Sequence, residues 1–258
     1  VAVNLVGGYS GCHLILLNNT TVRKISSSVG YNDRLKKQSS KQSSFNNNLV
    51  KKPLVLGEGY TDTGLYYFDM EYVRGVKFSE FMINSSMDQI RSKFSVMLDF
   101  INSLTQSKMV NITEQVKTKI DPYKNEHQRL HDYCLDSDWL VDGSYCHGDL
   151  SFANILISGD DIFFIDFLDS FVSTSCIDYS KFLQDILLGW SWRENSTTPH
   201  VKNISLMKII REKLHPDKIE LVNRMLVINI LRIIPYLKTQ KDELFLHDCL
   251  DYLERKFT

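Results

Sequence analysis

The sequence predicts an α+β chain of two unequal parts: a small antiparallel β-sheet with one helix over residues 1–75, and a mainly helical part over 76–258. Three observations carry this. Short apolar runs broken by Gly and Asn turns fill the first part. Apolar spacing of three and four takes over from Phe78. One pair of short apolar runs, near 155–165, interrupts that helical period.

The elements follow in order. Val3–Val6 is a short apolar run ended by Gly7-Gly8-Tyr9-Ser10-Gly11. Cys12–Leu17 and Thr21–Ser26 read as a hairpin about Asn18-Asn19-Thr20, because Asn tolerates left-handed backbone angles. Residues 32–47 are polar but helix-compatible. Leu54–Leu56 and Leu65–Val73 read as strands around a Gly57-Glu58-Gly59 turn, and residues 71–76 as a connector.

Beyond it, Phe81, Met82, Phe94, Met97, Leu98, Ile101 and Leu104 mark a helical stretch over 78–107. Residues 113–134 read as a helix broken near Pro122. Ile155–Ile157 and Ile162–Ile165 flank the turn Ser158-Gly159-Asp160-Asp161. Residues 176–192, 201–214, 216–237 and 242–256 read as helices, with Leu221, Met225, Ile228, Leu231 and Ile234 as a core stripe.

Composition narrows the function classes. Of 258 residues, 43% are hydrophobic and 24% charged, ordinary globular usage that excludes a disordered or collagen-like chain. Thirty basic residues against thirty-one acidic ones argue against nucleic-acid binding by bulk charge. Residues 1–75 carry nine Lys/Arg and five Asp/Glu, a local basic excess that suits an anionic ligand in an interlobe cleft. Five dispersed cysteines, with no C-x-x-C pair, read as buried thiols in a reducing compartment. No apolar run reaches the ~18–20 residues of a membrane span, and the start lacks a signal-peptide pattern. The expectation is a cytoplasmic protein with no membrane insertion.

The chemistry concentrates in His147-Gly148-Asp149-Leu150-Ser151-Phe152-Ala153-Asn154, followed by Ile165-Asp166-Phe167. Phosphoryl transfer needs a carboxylate beside the acceptor hydroxyl, hard oxygen ligands for Mg²⁺, a cation on the phosphates and a backbone cover over them. Asp149 suits the first role, and Asn154 and Asp166 the second. Lys24, in a strand after a hairpin, can reach phosphate as a point charge. Gly7, Gly8, Ser10 and Gly11 let backbone N–H groups approach phosphate closely. His147 suits a structural role, holding the loop by hydrogen bonds.

HGDLSFANIL with FFIDF resembles the catalytic loop and metal-binding segment of the aminoglycoside phosphotransferase and choline kinase-like family. The resemblance covers nearly the whole chain. It implies a bilobal protein-kinase-like fold, ATP or GTP as donor, and Mg²⁺. By it, Asp149 is the catalytic base, Asn154 and Asp166 bind metal, and Lys24 binds phosphate, with Gly8, Ser10 and Gly11 as the candidate cover over the nucleotide. Phe68–Val73 resembles the strand entering the hinge, with Glu71 and Val73 backbone groups meeting the purine edge. Asp178 falls at the following helix start, as a cap or a substrate contact.

One departure stands out. Kinases usually pair the strand Lys with a helix Glu, yet no Glu lies between Lys24 and Glu58. Gln38 occupies the expected place. The functional expectation is therefore a small-molecule kinase acting on a hydroxyl of a sugar, amino sugar, aminoglycoside or amino alcohol. The alternative is a weak pseudokinase or nucleotide-binding module. A protein kinase is disfavoured, since neither D-F-G nor A-P-E occurs. For the acceptor, Tyr179, Trp190 and Trp192 are candidate walls for a cation, and Asp169, Asp178, Asp185 and Glu194 candidate partners for a polycation. Residues 164–193 resemble family members associated with bacterial surface-polysaccharide synthesis, which implies a sugar or amino sugar.

Overall fold

The computed structural model of the protein describes residues 3–5, 12–106, 108–194 and 197–258. In chain order the strands are β1 (Val3–Leu5), β2 (His13–Asn18), β3 (Thr21–Ile25), β4 (Val55–Tyr60), β5 (Tyr66–Glu71), β6 (Val76–Lys77), β7 (Met109–Asn111), β8 (Leu140–Asp142), β9 (Ile155–Ser158) and β10 (Asp161–Phe164). The helices are α1 (Asn32–Ser44), α2 (Phe78–Asn84), α3 (Met87–Ser103), α4 (Thr113–Ile120), α5 (Gln128–Leu135), α6 (Ser175–Leu188), α7 (His200–Lys213), α8 (Pro216–Leu231) and α9 (Gln240–Phe257).

Two compact units result. One is Val1–Phe81 with Ala153–Asp169; the other is Met82–Phe152 with Ser170–Thr258. The first is larger than the 1–75 stretch expected, because the β9–β10 hairpin joins it. Strand pairing is the cause: β9 is antiparallel to both β10 and β6, and Lys51 bridges Phe163. Phe45 adds ring contacts to Phe167, at 5.0 Å, and to Phe164.

The first unit contains the expected five-stranded sheet, in the order β1-β2-β3-β5-β4 and antiparallel throughout. Strand alternation divides its faces. Val22 and Lys24 of β3 and Tyr66, Phe68 and Met70 of β5 are buried on one side, with Leu35 of α1 against them. On the other side, register places Arg23 opposite Asp69. The two form a bidentate pair at 2.7 and 2.9 Å, and Arg23 also lies over the Tyr67 ring.

The Gly57-Glu58-Gly59 turn expectation is corrected. These residues lie inside β4 and pair with Asp69, Phe68 and Tyr67. The chain reverses later, at Thr61–Gly64, where Gly64 adopts φ +78°. Asn32 clamps that turn: its amide donates to Gly64 O and its Oδ1 accepts from Tyr66 N, both at 2.9 Å.

α1 docks through polar groups as much as apolar ones. Leu35, Gln38, Ser39 and Gln42 are its buried positions besides Asn32, spaced for one helix face. Gln42 donates to Pro53 O at 2.9 Å.

In the second unit the helical stretch expected over 78–107 is two helices, α2 and α3. Ser86 starts α3 with a capping box to Gln89. α8 ends at Leu231, earlier than expected, where a short 3-10 turn containing Pro235 follows. Every residue from Arg224 to Leu231 is buried, so α8 runs through a core instead of presenting one stripe. Phe94, Phe152, Phe182 and Trp192 form a ring cluster with centroid separations of 5.1–6.0 Å. Burial of each ring contributes about 1.5–3 kcal/mol and anchors the residue that ends the 147–152 loop. All five cysteines are buried thiols. Among the described residues no helix is long and apolar enough to cross a membrane.

Candidate functional site

Strand alternation turns Lys24 inward with Val22, and the side chain is 5% exposed. A buried ammonium needs oxygen partners. It has two: Gln38 Oε1 at 3.1 Å and Asp166 Oδ1 at 3.0 Å. Gln38 thus stands where the sequence reading placed it, one turn beyond Leu35 on the buried face of α1. Burial is the largest influence on Lys24 and pulls its pKa down, but the charge and hydrogen bond of Asp166, with the nearby Cys12 and Tyr31, together outweigh it, so the lysine titrates above its ordinary value.

Asp166 lies just beyond β10 with φ +60°, the one positive-φ non-glycine residue among those described. Backbone strain of this kind clusters at functional positions, and Asp tolerates it better than most residues. Ile165 N donates to Asn154 O at 3.0 Å. Asn154 is therefore tied by its backbone to the residue preceding Asp166.

A carboxylate and an amide oxygen suit a hard cation such as Mg²⁺. Among the described residues no group of three His, Cys, Asp or Glu could hold a metal ion. One carboxylate and one amide oxygen would fill two positions of an octahedral Mg²⁺, which commonly takes water and phosphate oxygens at the others.

Asp149 belongs to the second unit, on a loop gripped by α6. Asp178, Lys181 and Asp185 are three and four residues apart, so they share one side of the helix. Each grips a different part of the loop. Asp178 accepts from His147 N at 2.7 Å and Gly148 N at 2.9 Å. Lys181 pairs with Asp149 Oδ1 at 3.0 Å. Asp185 accepts from Phe152 N at 2.6 Å, and from Ser191 N at 2.8 Å.

Gly148 has φ +93°, which a side chain would strain, and this bend leads directly into Asp149. His147 is fully buried, and its Nδ1 accepts from Asp149 N at 3.3 Å. That is the structural role expected of it.

Asp178 is neither cap nor exposed substrate contact; Thr174 caps α6. Lys181 was missed. Its partner is distant in sequence, and the only available signal was its spacing from Asp178. Of the expected purine-edge groups, Glu71 N donates to Leu54 O at 2.9 Å. Gly7, Gly8, Ser10 and Gly11 lie outside the described residues.

The acceptor candidates change most. Tyr179 and Trp192 are 1% exposed, so they are core residues instead of cage walls. Trp190 packs on Phe245 and under Arg193. Of the four carboxylates proposed for a polycation, two are buried and committed to backbone groups, and two are exposed in surface ion pairs. Asp178 and Asp185 hold backbone N–H groups, Asp169 pairs with Lys37, and Glu194 pairs with Lys241.

No protein-family profile matches the sequence, and no curated protein matches it. Solved structures match in fold. The GDP complex of wild-type aminoglycoside 2'-phosphotransferase-IIIa aligns at TM-score 0.65 and 16% identity, over 99% of this chain and 93% of that one. A thermostable mutant of aminoglycoside phosphotransferase APH(4)-Ia, in ternary complex with AMP-PNP and hygromycin B, aligns at 0.65 and 12%, over 99% and 93%. The GDP and kanamycin complex of APH(2")-IIIa aligns at 0.67 and 16%, over 99% and 92%. With its antiparallel sheet, its mainly helical unit and its gripped HGD loop, this chain is similar along nearly its whole length to the aminoglycoside phosphotransferases and has their protein-kinase-like fold.

Proposed function

We propose that the chain is a small-molecule kinase, moving the γ-phosphate of ATP or GTP to a hydroxyl of a sugar, amino sugar, aminoglycoside or amino alcohol. One observation carries this reading. Lys24 and Asp166, the expected phosphate and metal ligands, meet at 3.0 Å across 142 residues of chain. GDP and AMP-PNP in structures of the same fold support a nucleotide donor.

In this reading Lys24 binds phosphate oxygens, and the Glu71 carbonyl and Val73 backbone meet the purine. Gly8, Ser10 and Gly11 cover the phosphates. Asn154 and Asp166 hold Mg²⁺, which when bound offsets the charge of the transferring phosphoryl group. Asp149 orients the acceptor hydroxyl and takes its proton. The acceptor oxygen bonds to the γ-phosphorus as the bond to the bridging oxygen breaks, leaving a nucleoside diphosphate. Because Asp178 and Asp185 are buried on backbone groups and Lys181 sits beside Asp149, a neutral sugar hydroxyl suits the acceptor position better than a polycation does. A reaction supplied by nucleoside triphosphate, and buried thiols without disulfides, suit a cytoplasmic setting.

Asp149→Ala tests the reading. Product formation from labelled ATP or GTP across a panel of sugars, aminoglycosides and amino alcohols should be lost, while nucleotide binding persists. Equal turnover in both proteins would refute the assignment of Asp149. Gln38 favours one second reading, a weak kinase or nucleotide-binding module, because Lys24 lacks a carboxylate partner on α1. Nucleotide binding with no transfer to any acceptor would support that reading.

A further inference from the structure

We infer that Lys181 is a positioning residue for Asp149, holding its carboxylate in one orientation and keeping it ionised for the incoming hydroxyl proton. This rests on the reading of Asp149 as proton acceptor. The geometry separates Lys181 from its neighbours on α6. Asp178 and Asp185 grip backbone N–H groups on either side of Asp149, so the path of the loop is held without the lysine. Lys181 is the α6 residue that reaches the Asp149 side chain itself, at 3.0 Å.

Exposure agrees with this division. The Lys181 side chain is 12% exposed and that of Asp149 37%. The carboxylate therefore reaches solvent while its cation is sheltered, and a sheltered cation is screened little by salt. Among the described residues, the titratable groups seen on the same stretch of loop and helix include Asp178 and Asp185 on α6 and His147 in the loop. Asp185 lies one turn from Lys181 and feels its charge.

A carboxylate with one oxygen bonded to an ammonium loses rotation about its side-chain torsions, and orientation of this kind accelerates proton transfer. During the step, the acceptor proton moves to Asp149 as the new O–P bond forms and the bond to the leaving oxygen breaks. Asp149 later returns its proton to solvent.

The test uses the full chain as Lys181→Met, Lys181→Gln and Lys181→Arg, with Asp149→Asn as benchmark and circular dichroism to confirm folding. Carbon-13 NMR of the aspartate carboxyls, with Asp149 identified by its loss in Asp149→Asn, follows its titration without nucleotide. The midpoint should rise by about one pH unit in the Met and Gln variants and return in Lys181→Arg. Magnesium-dependent hydrolysis of ATP and GTP, with water as acceptor, should fall roughly tenfold to a hundredfold in kcat. Nucleotide KM should stay unchanged, and Arg should restore most of the rate.

A midpoint unmoved in both folded variants would overturn the inference, as would an Arg variant no better than Met. If neither nucleotide is hydrolysed by the wild type, the titration decides alone. Hydrolysis by Asp149→Asn at the wild-type rate would instead sink the base assignment, while the carboxyl titration would still report on the lysine contact.

Discussion

Lys24 donates to the side-chain carbonyl of Gln38 at 3.1 Å, so a neutral amide on α1 stands where a carboxylate would pair with the lysine. The amide supplies direction without charge. The opposite charge comes from Asp166. Gln38→Glu should therefore change turnover by no more than about threefold, since the acceptor oxygen remains. Gln38→Leu removes the acceptor and should raise nucleotide KM roughly tenfold, the equivalent of one hydrogen bond to a charged group. Steady-state kinetics with ATP and GTP check both. Complete loss in Gln38→Glu would mean that α1 does not position the lysine in this way.

The same pair predicts an asymmetry in stability. Lys24 is buried, while the Asp166 side chain is 36% exposed. Removing the acid leaves a buried cation without its opposite charge; removing the cation leaves a solvated acid. Asp166→Asn keeps a residue that tolerates the left-handed backbone and should cost about 1 kcal/mol, discounted for exposure. Lys24→Met should be neutral or mildly stabilising. Thermal unfolding without nucleotide distinguishes the two. A larger loss in Lys24→Met would show that the lysine contributes more as a donor than it costs as a buried charge.

Asp178 holds two consecutive backbone N–H groups while 1% exposed. Asp178→Ala strands both donors, at about 1–3 kcal/mol each, and leaves the bend at Gly148 without support. Stability should fall by about 2–5 kcal/mol, and the His147 and Gly148 amides should exchange faster with deuterium. Asp178→Asn keeps one acceptor and should fall between. Urea denaturation and hydrogen exchange check this. Wild-type protection of those two amides in the alanine variant would count against the anchoring role.

What the sequence revealed of the fold depended on local pattern. Lys24 was legible as the lysine of a strand after a hairpin, and Gln38 as the residue where a helix carboxylate would be sought; that Lys24 faces inward and meets Gln38 is shown by the structure. The β9–β10 hairpin was legible from two apolar runs around a Gly-Asp turn. The failures were long-range. Gly57 and Gly59 resembled a turn because glycine usually marks one, but the turn is set by Asn32, which clamps Gly64 from 32 residues away. The hairpin's membership in the sheet-bearing unit depends on β6, a strand of two residues too short to show a period. Lys181 had only its spacing from Asp178 as a signal, because the partner that gives it a role is 32 positions earlier in the chain.

Asp185 makes a pH dependence specific to one residue. Its carboxyl is fully buried, and burial pushes it up to about 6 from an ordinary 3.8, against the opposing pull of the Ser191 and Phe152 N–H groups and the Lys181 charge. Between these values the folded chain binds a proton that the unfolded chain does not. Stability from this group is therefore absent above about pH 6, grows as pH falls, and is complete near pH 4. A shift of this size corresponds to about 3 kcal/mol. Asp185→Asn cannot titrate, so the stability of wild type minus that of the variant should increase as pH is lowered from 7 to 4. Other carboxylates weaken both proteins in acid and largely cancel in that difference. Urea unfolding of the two proteins at pH 7, 6, 5 and 4 measures it directly. A difference that stays flat, or shrinks toward acid, would mean that the bonds from Phe152 and Ser191 hold Asp185 ionised despite its burial.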